Sequence, residues 1–412
     1  MTVQLEARNA TLQDFARLLQ DQHTRKLDVV APASAIHARD GHLVLTGTDV
    51  EITEDGVTPT EGTYLPTEIC DAGLADKLHI SVAYIRRLRA ERPDLWDANI
   101  NGWLHGRVRN RGGERTVVAA PDPRSFLIRL FRGDGDGSGI ARAFLSDRYG
   151  IVDNLDVLMA ALDGVKRAGV DVDIDGCDLS ERRMHVRVVA PQVAAYAHEL
   201  LKGYRSPFDG RNVGGGWTPE RVADASRREG QAVAAGDESV VFAGFVISNS
   251  ETGGGAFSLT PRLVVQVCNN GLQIAADTLR EVHLGGRMEA GVVRWSADTE
   301  RRALDLVTAK TRDAVSTFLD VDYVTAKVRE LEDKAGAPVT NPAKTIGLVA
   351  KRLSFTDAQA ATILDHFIRG GQMTAGGVMQ AVTSAAQMIP NPDTANDMEA
   401  AALRVLELAA ER

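Results

Sequence analysis

Cysteine is scarce in this chain of 412 residues: Cys70, Cys177 and Cys268 stand far apart, an odd set with no CxxC pair. That excludes a disulfide framework, and small buried thiols in a reducing compartment are expected instead. Long apolar runs are also missing, and none approaches the ~20 residues that a membrane span needs. The opening residues Met1 to Glu6 lack the basic-then-apolar order of a secretion signal. A cytoplasmic protein without membrane contact is expected.

The usual catalytic signatures are absent as well. The glycine-rich stretch Gly133–Gly139 is followed by no lysine-serine or lysine-threonine pair, so nothing would reach the outer phosphates of a nucleotide or its magnesium. It reads as a hairpin tip. Two stretches imitate a calcium loop, Asp134–Gly139 and Asp171–Gly176, but the twelfth positions are Leu145 and Arg182, neither of which can supply the bidentate carboxylate. The nine histidines are scattered, with no HExxH and no His-x-Glu joined to a CxxC. Zinc hydrolases and zinc deaminases are disfavoured, and no metal site or cofactor is assigned. No GxSxG elbow occurs. Lone histidines such as His185 read as surface or packing residues.

What remains is an ordinary globular composition, 44% apolar and 25% charged, on a chain long enough for two or three domains. The net charge of −9 disfavours general nucleic-acid binding. Residues 84–132 run against it, with eleven arginines and five carboxylates. Such a window either binds phosphate locally or pairs with acidic neighbours on a solvated face.

Residues 1–105 read as mostly helical with some short strands. Thr11 caps a helix with Leu12, Phe15, Leu18 and Leu19 on one face. Residues 41–53 alternate like a strand pair. Helices are expected after Pro66-Thr67, after Ser81 as a cap, and from Pro93. Residues 106–296 read as hairpins with inserted helices. Arg107–Arg111 pairs with Arg115–Ala119 across Gly112-Gly113, and Ser125–Phe131 pairs with Ile140–Leu145. A helix follows over 154–167, capped by Asn154, then a hairpin of 170–174 with 184–189. Pro191 opens an expected helix over 192–201. A glycine-rich loop covers 203–218, and β runs cover 240–248 and 257–268. From 297 to 412 only helices are expected, with no strand inside 343–389. The fold class is therefore α+β: an antiparallel, hairpin-rich central sheet with inserted helices, a helical N-terminal part and an all-helical C-terminal subdomain.

Within 67–90, Leu74, Leu78, Ile80, Ile85 and Leu88 would join two short helices, leaving Tyr84, Arg86, Arg87 and Arg89 on or near the outer face of the second. This is either a helix-turn-helix able to enter a major groove or an αα-hairpin that only packs its domain.

Two segments carry a family resemblance. One is Arg142-Ala143-Phe144-Leu145-Ser146-Asp147-Arg148-Tyr149-Gly150-Ile151-Val152-Asp153-Asn154. The other runs Asn249-Ser250-Glu251-Thr252-Gly253-Gly254-Gly255-Ala256-Phe257, continuing through Thr260-Pro261-Arg262-Leu263 to Val267-Cys268-Asn269-Asn270-Gly271. Together they resemble the phage/plasmid-like proteins grouped as domain of unknown function 932, from about residue 65 onward, with 203–236 as a lineage-specific insertion. The resemblance implies a gene carried on a phage, prophage or plasmid, hence the cytoplasm of a host cell. It implies no reaction.

From the residues themselves, Arg148, Tyr149, Asn249 and Asn269 are expected to converge in one cleft, with Asp147 and Glu251 beside them, as an anion or base-edge site. Alternatively these polar side chains satisfy turns and sheet ends. Three functions stay open: an accessory protein that contacts DNA in replication or recombination, an enzyme acting on a nucleotide or nucleic acid, and a factor that binds host or phage proteins. A compact carboxylate cluster with Arg148 would favour the second, and a continuous basic groove the first.

Overall fold

The computed structural model describes residues 3–48, 51–53, 56–111, 114–133, 138–150, 152–201, 203–208, 240–265, 270–281 and 297–411. Strand β1 (Ala7–Ala10) leads into helix α1 (Leu12–Arg25), whose cap Thr11 accepts from the Asp14 amide and whose Phe15 and Leu19 are buried. Strand β2 (Lys26–Pro32) follows directly, with Leu27, Val29 and Ala31 buried in the period of two that a half-buried strand requires. Strands β3 (Ile36–Arg39) and β4 (His42–Leu45) pair with each other, β5 (Glu51–Thr53) and β6 (Gly56–Thr58) form a small ribbon, and β7 (Gly62–Pro66) ends at the Thr67 cap of α2 (Glu68–Leu78). Helices α3 (Val82–Glu91) and α4 (Pro93–His105) complete this part. Among the described residues up to 105, the short strands all lie before Thr67, and three successive helices fill 68–105. Ser81 stands at the N-cap position of α3, but its side chain makes no capping bond and only its carbonyl accepts, from the Ile85 amide.

The expected hairpins follow. Strands β8 (Arg107–Arg111) and β9 (Glu114–Ala119) pair with each other and with no other strand among the described residues, and β10 (Ser125–Phe131) pairs with β11 (Gly139–Ser146). Helix α5 (Asn154–Ala168) comes next, then β12 (Asp173–Leu179) and β13 (Met184–Tyr196). The strand expected over 170–174 starts later and runs further. The helix expected over 192–201 is corrected to a strand as far as Tyr196, with only α6 (His198–Leu201) helical. Pro191 falls where the register shifts between Ala190 and Ala194, so its missing N–H costs no ladder bond. Ala194, Ala195 and Tyr196 then pair with Phe242, Val241 and Val240. Strands β14 (Val240–Asn249), β15 (Phe257–Val265), β16 (Asn270–Gln273) and β17 (Leu279–Glu281) follow. The β run expected to reach Cys268 is described to Val265. Most of Gly133–Gly139, most of the 203–218 loop, and Cys268 lie outside the described residues. Cys70 and Cys177 are free and buried.

The strands form two principal sheets. One has the order β2-β10-β11-β7-β4-β3, with β7 and β11 parallel and its other pairs antiparallel; α2, α3 and α4 cover it through Leu74, Ile85, Trp96 and Ile100. It draws strands from both sides of residue 105. The other has the order β1-β12-β13-β14-β15-β16, with β17 on β15. Helices α7 (Ala297–Phe318), α8 (Val321–Ala335), α9 (Pro342–Leu353), α10 (Asp357–Gly370), α11 (Ala375–Gln387), α12 (Pro392–Ala400) and α13 (Ala402–Ala410) hold no strand among the described residues of 297–411, only an isolated bridge from Pro338 to Thr374. They share one apolar core with the second sheet, joined through Val186, Phe245, Val328 and Val382. The α+β class stands. No helix of the described residues is long and apolar enough to cross a membrane.

Candidate functional site

Two arginines inside apolar strands organise the place where the sheets meet. β10 reads Ser-Phe-Leu-Ile-Arg-Leu-Phe and β11 reads Gly-Ile-Ala-Arg-Ala-Phe-Leu-Ser. Arg129 pairs with Ala143 and Leu130 with Ala141, so Arg142 is the extra residue of a β-bulge. A bulge breaks the in-out alternation and re-aims a side chain. Here Ala141 and Phe144 both face the helix-covered core, on either side of the bulge. The bulged strand is held from α2: the Thr67 hydroxyl donates to the Arg142 carbonyl (3.0 Å) and the Thr67 amide to the Ala141 carbonyl (2.9 Å).

Arg129 is fully buried. Its Nε and Nη2 donate to the two oxygens of Asp28 (2.8 and 2.9 Å), Nη2 also reaches Asp153, and Nη1 donates to the Glu251 carbonyl (3.0 Å). Lys26 takes the other oxygen of Asp153. Burial pushes the Asp153 carboxyl up, but Arg129 and Lys26 outweigh it and hold the group well below the usual carboxylate range. Glu251, in the β14–β15 turn, bridges the other half of the site. One of its oxygens accepts from Arg142 Nη1 (2.6 Å) and the other from the Asn154 amide at the start of α5. Helix α5 is therefore capped by a distant carboxylate. The expected cap, Asn154, is the first helical residue, and its side chain instead accepts from Asn249 Nδ2 (2.9 Å). Gly253, at φ +84°, permits the turn, and a Cβ there would come within 2.8 Å of Leu145.

A small recess, with a cavity volume of about 20 Å³ and open to solvent on one side, lies beside this network. Arg142, Phe131 and Thr67 line it from the first sheet and α2, Gln22 from α1, Leu179–Arg182 from the β12–β13 turn, and Asn154, Glu251 and Thr252 from the α5 and β14 side. Arg142 is 7% exposed and its guanidinium lies 4.1 Å over the Phe131 ring. Its Nη1 is spent on Glu251, while Nε and Nη2 have no hydrogen-bond partner. Burial and its neighbours Glu6 and Glu68 push the Glu181 carboxyl up; the amides of Glu68 and Ile69, at the start of α2, act the other way.

The structure brings Tyr149, Asn249 and Glu251 to this junction. The Tyr149 hydroxyl donates to the Ser250 carbonyl (3.3 Å), and burial pushes its phenol up to about 12. Arg148 does not join them. It is exposed beside exposed Asp147, in a turn where its amide donates to the Ser146 hydroxyl. Asn269 lies outside the described residues. Its neighbour Asn270 pairs with Val265, which pairs with Val241, whereas Asn249 adjoins the turn at which Ser248 meets Ser258. In an antiparallel hairpin the ends flanking the turn meet and the far ends do not, so Asn270 stands at the end of the hairpin away from Asn249. Arg142, Arg129 and Glu181 were missed as site residues. An arginine in an otherwise apolar strand is the signal that marks the first two.

The helix-pair candidates are engaged elsewhere. Arg89 grips buried Asp71 of α2 with two nitrogens (2.6 and 3.1 Å), Arg86 reaches Glu68, and Arg87 pairs with Glu91 on its own helix. Tyr84 is exposed. These bonds are those of a packed αα-hairpin. His185 is a buried residue between Ser248 (2.8 Å) and Asp393 (3.1 Å), which pins α12 to the sheet; it is not on the surface. His23, Asp153 and Asp156 have ligand atoms within 4.8 Å of one another. Asp153 already gives one oxygen to Arg129 and the other to Lys26, so a cation there would have to displace both. Asp175 of the second calcium-like stretch is paired with Arg262 (2.9 Å) in a strand. Comparison with family models, with curated proteins and with solved structures returns no match.

Proposed function

We propose that this protein is a binding protein whose site is the recess at Arg142 and whose ligand carries an oxyanion. One observation carries the reading: a guanidinium more than nine-tenths buried, on a residue that lines the recess, keeps Nε and Nη2 without partners. Leaving such donors unpaired costs about 1–3 kcal/mol or more, a cost that an anionic ligand removes. The phage or plasmid setting implied by the two motif segments fits an accessory protein of this kind. Scanning fluorimetry in sulfate, phosphate and acetate, against chloride at equal ionic strength, tests it. The melting temperature is expected to rise with at least one oxyanion in the wild type and not in Arg142→Lys, since ligand at ten times Kd adds about 1.4 kcal/mol. No rise with any of the three would overturn it.

A second reading, contact with DNA, is favoured by the ribbon β8–β9. It carries Arg107, Arg109 and Arg111 on one strand and Arg115 on the other, it pairs with no other strand among the described residues, and Arg107 is exposed. A two-stranded ribbon fits a major groove. Replacing the four arginines with Ala is expected to weaken binding of a labelled duplex and to flatten its salt dependence, read by fluorescence anisotropy. Wild-type protein that leaves the duplex free at 50 mM salt would remove the reading.

A further inference from the structure

Resting on the reading of the recess as an oxyanion site, we propose that its ligand is a monoanionic carboxylate on a short apolar stem, not a phosphate. The free edge of Arg142 is the Nε–Nη2 side of the guanidinium. Elsewhere in this protein that same side takes carboxylates two-pronged: Arg89 on Asp71, Arg92 on Asp94, Arg124 on Asp122 and Arg129 on Asp28. A planar carboxylate matches it with two parallel bonds.

Charge then selects against phosphate. The ionisable residues lining the recess are Arg142 and Arg182 against Glu181 and Glu251, which cancel. One added negative charge meets the half of Arg142 that Glu251 leaves free. A phosphate monoester brings roughly −1.5 to −2 at neutral pH and would face both carboxylates. The helix start that would ordinarily favour phosphate already lies by the Glu181 carboxyl, which the Glu68 and Ile69 amides of α2 hold down against its burial. Leu5, Leu179 and Phe131 give the walls an apolar part suited to a hydrocarbon stem. A small acid and the end of a peptide both offer this chemistry.

Isothermal titration at pH 7 with propionate, propionamide and inorganic phosphate decides the matter. Propionate is expected to bind one to one, at least about tenfold tighter than phosphate, and propionamide to give no heat, because only the carboxylate makes charge-assisted bonds. Arg142→Lys keeps the charge but loses the two-pronged edge and should lose about tenfold for propionate. Glu251→Gln removes one of the repelling carboxylates and should narrow the preference over phosphate, so the charge argument is testable even if Arg142→Lys fails to fold. A tetrapeptide with a free carboxyl end, set against its amide, separates the sources: a free-acid peptide tighter than propionate assigns a chain end, and a weaker one a small acid. Phosphate binding as tightly as propionate would overturn the carboxylate while leaving an oxyanion site. No binding of either would overturn the oxyanion site itself.

Discussion

Arg129 is fully buried, and it survives there because Asp28 meets its fork from a strand and Asp153 from a loop. A buried ion group of this kind need add little net stability, since desolvation offsets the attraction. Breaking it is another matter. Arg129→Met strands two carboxylates and is expected to cost roughly 3–5 kcal/mol in urea unfolding. A loss below about 1 kcal/mol would mean that water reaches them. The same residues set an acid limb. The folded Asp153 carboxyl titrates well below its unfolded value. Its contribution is therefore complete above about pH 4 and is lost as pH falls through the folded value. The melting-temperature gap between wild type and Asp153→Asn should be widest near neutrality and narrow progressively as pH falls below about 4. A gap independent of pH would show that the charge is not what matters.

At the level of elements, the site depends on how closely α2 lies on β11. Gly73 faces that strand, and a Cβ there would stand 2.3 Å from the Phe144 carbonyl oxygen. Backbone cannot yield as a side-chain tip can, so Gly73→Ala should force the helix outward and cost about 1–3 kcal/mol. Because Thr67 at the head of α2 holds the carbonyl of Arg142, that shift should also weaken oxyanion binding. Unchanged stability and binding in Gly73→Ala would separate helix packing from the bulge. Much at this scale was legible in the chain. The cap at Thr11, the helix start after Pro66-Thr67, the hairpin of β10 and β11 and the helices after 297 follow from turn residues and apolar period. The end of β13 did not follow: Pro191 reads as a helix start, and only pairing with β14, distant in sequence, makes its neighbours a strand.

At the level of the whole molecule, the proposed site is a product of two sheets, and this is why sequence reading reached its neighbourhood through Arg148 and not through Arg142. Tyr149, Asn249 and Glu251 announce themselves as polar residues at turns. Arg142 lies in an apolar run, and its aim depends on one bulged residue and on a turn more than a hundred positions away. Periodicity carries no sign of either. The central claim is that Arg142 Nε and Nη2 bond an oxyanion. Its most direct test is the ¹⁵N–¹H signal of the Arg142 Nε group, assigned by its loss in Arg142→Lys and followed while propionate is added to the wild type. The account predicts a progressive shift of that signal to a plateau, with the signals of Arg89 and Arg129, whose Nε groups are already paired, left in place. An Arg142 signal that stays fixed while propionate is added to saturation would contradict it.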